Sequence, residues 1–85
     1  MADKHVNTFR LVVASVGETL FDGAAASATM PGAAGEFTLL PKHEAFVTTL
    51  KKGTILVKAI SGATREFPIE SGVLECSQGR AVVLL

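Results

Sequence analysis

A second cysteine, a surplus of either charge and a long apolar run are all missing from this 85-residue chain, and each absence excludes a class of protein. With Cys76 alone, no intrachain disulfide can form, and a small core without disulfides fits a reducing compartment. Eight basic residues balance eight acidic ones. Nucleic acid is therefore not expected as a partner, because phosphate binding needs a clustered positive excess. Lys51 and Lys52, with Lys42, are the one local basic group, and at a turn they read as solvated. No run approaches the roughly 20 apolar residues of a membrane-spanning helix. The start, Met1-Ala2-Asp3-Lys4-His5-Val6-Asn7, has no apolar h-region, so no signal peptide is expected.

Catalytic sets are missing too. His5 and His43 are the only histidines, and with one cysteine they give no zinc-type ligand spacing. Gly32-Ala33-Ala34-Gly35 lacks the Gly-Lys-Ser/Thr ending of a phosphate loop, and no helix follows it. Glu70 and Glu75 read as exposed strand charges. Cys76, in the strand-like context Val73-Leu74-Glu75-Cys76, reads as a small hydrophobe, and its one candidate base, His43, is distant in sequence. No catalytic, cofactor-binding or metal-binding residue is expected, and the chain is not expected to be an enzyme.

What is present is apolar and β-patterned. Hydrophobic residues make up 48% of the chain and mean hydropathy is +0.42, high for so small a domain. A chain of this length buries roughly 60–65% of its unfolded surface. Part of the apolar surface is thus expected in the core and part in an interface. Residues 8–13 alternate, with Phe9, Leu11 and Val13 on one face. Gly17 breaks the pattern, residues 18–21 form a short extended piece, and Asp22-Gly23 signals a turn. Residues 24–30 read as a strand with a small-residue face, followed by a loop over 31–35. Further strands are expected over 36–40, 45–50, 54–60, 64–69, 73–76 and 80–85. Pro41 ends one of them, and Pro68 marks an edge or a bulge. The chain reads as one all-β domain over residues 1–85, a β-sandwich or flattened barrel of about eight to ten short strands.

The charged break between two apolar segments, Leu39-Leu40-Pro41-Lys42-His43-Glu44-Ala45-Phe46-Val47, stands out. Polar groups wedged between buried segments are fixed by the fold, and a rigid charged corner suits docking. His43 reads either as a structural hydrogen-bonder or as a contact residue titrating near neutral pH. Glu36, directly after Gly35, reads either as a solvated strand-end charge or as part of the same surface.

Over most of its length the sequence resembles the N-terminal β-sandwich domain of the epsilon subunit of F-type ATP synthases. The resemblance rests on Thr8-Phe9-x-Leu11, Ser15, Phe21-x-Gly23, Gly32-x-x-Gly35-Glu36, Pro41-x-His43, Lys51-x-Gly53, Ile55, Gly62 and Gly72-x-Leu74-Glu75. It implies a domain of the central rotor stalk that clasps the gamma subunit and rests on the ring of membrane-embedded c subunits. The Gly-Glu loop and the Pro-x-His corner face that ring in the family, which carries over to Glu36 and His43. Lys42 and Glu44 depart from the family pattern, which often has glycine before the histidine and alanine-proline after it. Those two added charges suit a ring with complementary ones. Family members normally continue into a C-terminal helical hairpin that can restrain rotation or bind ATP. None lies within these 85 residues, so neither property is assigned to them.

The resemblance thus implies a non-catalytic rotor-stalk subunit in proton- or sodium-driven ATP synthesis. Its partners are the gamma subunit, on an apolar, small-residue face, and the c-ring, on Glu36, Lys42, His43 and Glu44. Membrane contact is indirect, through the ring, at the cytoplasmic face of the plasma membrane. The competing reading is a free-standing β-domain that binds a soluble peptide or ligand along an edge strand.

Overall fold

The structure is a computed structural model that describes residues 8–42 and 44–85. Among them are nine strands and no helix: β1 (Phe9–Ser15), β2 (Glu18–Ala25), β3 (Ser27–Gly32), β4 (Gly35–Leu39), β5 (Phe46–Leu50), β6 (Gly53–Lys58), β7 (Thr64–Ile69), β8 (Gly72–Ser77) and β9 (Arg80–Leu84). The order along the sheet is β2-β1-β9-β8-β5-β3-β6-β7, with β4 on the remaining side of β3. All ladders are antiparallel except β1 with β9.

The continuity of this sheet hangs on one bridge. β5 meets β3 only at Leu50 opposite Gly32. On either side of it the chain folds into two layers, β2-β1-β9-β8-β5 and β4-β3-β6-β7, which enclose the core as in a sandwich. The bridge has a local cause. β3 pairs with β6 only over residues 27–29, and Pro31 follows, with no N–H to continue that ladder. The Pro31 carbonyl instead accepts from the Lys51 N–H at 2.9 Å, and the Ala33 N–H donates to the Thr49 carbonyl at 3.0 Å.

Alternation sorts the side chains as the sequence indicates. Phe9, Leu11 and Val13 are buried on β1, Leu74 and Cys76 on β8, and Ala81 and Val83 on β9. Ala28, Met30, Ile55, Val57, Phe67 and Ile69 meet them from the other layer. No polar or charged residue among those described is buried, so no desolvated polar group weakens this core.

Three expectations need correction. Asp22-Gly23 is not a turn: β2 runs unbroken through it, and the reversal lies at Val16-Gly17, where Gly17 has φ 79°. Asp22 stays in the strand because it faces Val12 on β1 and its carboxylate takes two N–H bonds from Arg10, at 3.0 and 2.9 Å. Residues 24–30 are not one strand, since the chain bends at Ala26 as it passes from β2 to β3. Their small side chains are divided: Ala25 and Ala28 are fully buried, Ala24 is exposed, and Ala26, Ser27 and Thr29 are half-buried. The loop expected over 31–35 shrinks to Ala33-Ala34, with Pro31 and Gly32 inside β3. Pro68 does lie on an edge strand, β7.

Candidate docking surfaces

Glu36 is positioned by a tight hairpin whose geometry explains the spacing Gly32-x-x-Gly35-Glu36. Gly35 has φ 142°, a conformation that side-chain-bearing residues rarely adopt. Gly32 lies opposite it, and a Cβ on Gly32 would come within 2.6 Å of the Gly35 carbonyl oxygen and 2.7 Å of the Phe37 ring. Both glycines are therefore steric requirements, and Glu36 emerges next to them, exposed and opposite Pro31. Next along β4, the Phe37 ring packs edge-on against Phe46, centroids 6.1 Å apart and planes at 66°. Phe46 begins β5, so this contact joins the two strands that flank residues 40–45.

Within that corner Lys42 and Glu44 are exposed. His43 lies outside the described residues. Glu36 directly precedes Phe37 on β4, and Glu44 lies two residues before Phe46 in the segment that leads into β5. Leu40 and Val47, 58% and 67% exposed, add apolar surface at the corner.

A second surface did not stand out in the sequence. The outward positions of the five-stranded layer form cross-strand rows. One reads Asp22, Val12, Val82, Glu75, Val47, and the next Thr19, Ala14, Leu84, Val73, Thr49. Leu84 and Val73 are 56% and 42% exposed, and Val12, Val82 and Ala14 are half-buried. The signal was legible in β9, Arg80-Ala81-Val82-Val83-Leu84. A strand buried on one face alternates, whereas a continuous apolar run leaves its outward residues needing cover. The outer face of the other layer is more polar: it carries Glu36 and the row Thr38, Thr29, Leu56 and Glu66, with the Thr29 and Thr38 hydroxyls hydrogen-bonded at 3.0 Å.

At one border of the apolar face the Arg10–Asp22 pair is exposed. The hydrogen bond to Arg10 holds the Asp22 carboxyl below its ordinary range, with smaller help from the charges of Arg10 and Arg80. Cys76 points inward, and burial pushes its thiol up to about 11. It is a core residue with no thiolate character at neutral pH.

A family model described as ATP synthase, Delta/Epsilon chain, beta-sandwich domain matches residues 8–85. The chain belongs to this family.

Among its relatives, the ATP synthase epsilon chain of Bordetella petrii is 32% identical over 77 residues, covering 91% of this chain and 55% of the relative. The epsilon chain of Delftia acidovorans is 29% identical over 79 residues, covering 93% and 57%. The chain thus spans little more than half the length of the curated relatives it matches. A chain of the Euglena gracilis mitochondrial ATP synthase (OSCP, F1 and c-ring, rotational state 1) superimposes with TM-score 0.86 at 21% identity, covering 92% of this chain and 50% of that one. A chain of the Tetrahymena thermophila mitochondrial ATP synthase central stalk and c-ring gives 0.69 at 8% identity, covering 88% and 60%. At these identities the two likenesses speak to the fold, which is the delta/epsilon-type sandwich.

Proposed function

We propose that these 85 residues form a single delta/epsilon-type sandwich domain that acts as a non-catalytic rotor-stalk element of an F-type ATP synthase. It links a gamma subunit to a c-ring in ion-driven ATP synthesis, at the cytoplasmic face of the plasma membrane. One observation carries this reading: two exposed surfaces of opposite character sit on one stiff body. The outer face of the five-stranded layer is apolar, centred on Val73, Leu84 and Val47. The corner with Glu36, Lys42, His43 and Glu44 is charged. Transmitting torque needs a body that does not deform, and an interdigitated all-apolar core supplies one. Gamma is assigned to the apolar face and the ring to the charged corner, where complementary charge fixes orientation more than affinity.

Family membership supports the assignment, as do relatives named epsilon chain. The peptide-binding alternative would use an open strand edge, which β2, β4 and β7 present among the described residues. The test is co-purification from detergent-solubilised membranes of cells expressing the tagged chain. Gamma and c subunits are expected in the eluate, in lower yield for the Glu36→Ala, His43→Ala double variant at unchanged fold. A chain that elutes free of both would overturn the proposal.

A further inference from the structure

The two ends of the strand order, β2 and β7, are free edges with no ladder between them among the described residues. In a curled sheet these ends come round to face each other, and here side chains bridge them. Phe21 on β2 meets Phe67 on β7 edge-on, centroids 5.9 Å apart at 61°. Arg65, two residues before Phe67 and on the same side of β7, sets its guanidinium 5.6 Å from the Phe21 centroid and 5.2 Å from that of Phe67. Phe67 belongs to the core and Phe21 packs against it, while Arg65 remains exposed at the rim. A cation over two ring faces gains from both quadrupoles while its outer side stays hydrated.

We infer that Arg65, Phe21 and Phe67 form a latch that closes this seam, and that its release lets β2 and β7 part without global unfolding. Backbone pairing crosses every other junction of the path, down to the single Leu50–Gly32 bridge between β5 and β3, whereas at this seam the described contacts are between side chains. Cooperative units of low local stability arise where few backbone bonds cross a boundary. The Ala26 N–H bond to the Lys58 carbonyl, 2.7 Å, ties down the end of β2 at the crossover. Opening is therefore confined to the stretch above it.

Native-state hydrogen exchange on the whole chain tests this latch, comparing the parent with Arg65→Gln and Phe21→Leu. Arg65→Gln removes the cation from an exposed position and leaves the core intact, so it decides the matter even if Phe21→Leu fails to fold. The expected result is exchange about two- to five-fold faster at the β2 and β7 amides, with β8 and β9 unchanged. Unchanged exchange at β2 and β7, or equal acceleration in all strands, would overturn the inference.

Discussion

The Phe37 ring stands edge-on against Phe46, 6.1 Å between centroids, and this contact closes the base of the charged corner. Its consequence is that the corner's geometry is set from below by apolar packing, while Lys42 and Glu44 above it remain free to meet a partner. Aromatic pairs of this kind contribute about 0.5–1.5 kcal/mol beyond their buried area. A double-mutant cycle with Phe37→Leu and Phe46→Leu is expected to return a coupling energy in that range, read from urea unfolding. A coupling near zero would mean that the two strands hold the corner without the rings.

The hairpin that presents Glu36 is sensitive to a single methyl group. Gly35→Ala forces a side chain onto a φ of 142°, and Gly32→Ala drives a Cβ into the opposing carbonyl. Each is expected to cost on the order of 1–3 kcal/mol in unfolding free energy. Ala34→Gly in the same turn, at an exposed position, is expected to cost less than either.

Asp22 gives a pH signature. Its carboxyl is depressed in the folded state, so the pair's contribution is complete above the ordinary carboxylate pKa of about 3.9 and is lost as pH falls through the lower folded value. Because both partners are exposed, the effect on stability is small and is screened by salt. In an NMR titration, Arg10→Gln is expected to return the Asp22 pKa toward the ordinary value. An unmoved titration would remove Arg10 as the cause.

Cys76 is expected to be inert in the native chain. With its thiol at about 11 and its side chain in the core, a thiol reagent at pH 8 should react slowly under native conditions and fully in denaturant. Fast native labelling would mean that β8 opens readily.

The sequence made the strands legible wherever apolar and polar residues alternate, because the side-chain period of two is written directly into β1, β6 and β8. It misled at Asp22-Gly23. That dipeptide normally marks a turn, but here the Arg10 ion pair and the Phe21 ring, which lies over Gly23, hold it extended. The Arg10–Asp22 pair spans two strands and lies outside any local window. The small-residue face expected over residues 24–30 is split by the bend at Ala26, with Ala25 and Ala28 in the core and Ala24 exposed. The corner's exposure at Lys42 and Glu44 was legible from charge alone, and the position of Glu36 from the two glycines. The apolar outer face was legible only as the continuous apolar run of β9, since Val47 and Val73 lie elsewhere in the chain and join Leu84 only through the ladders of β8 with β5 and β9.

The sharpest test is the affinity of the isolated chain for a gamma subunit, measured by calorimetry for the parent and for Val73→Asp. A charge at the centre of the apolar face, 42% exposed in the free chain, is expected to lower affinity at least about ten-fold while the unfolding midpoint stays unchanged. Undiminished affinity in Val73→Asp would contradict the assignment of gamma to this face.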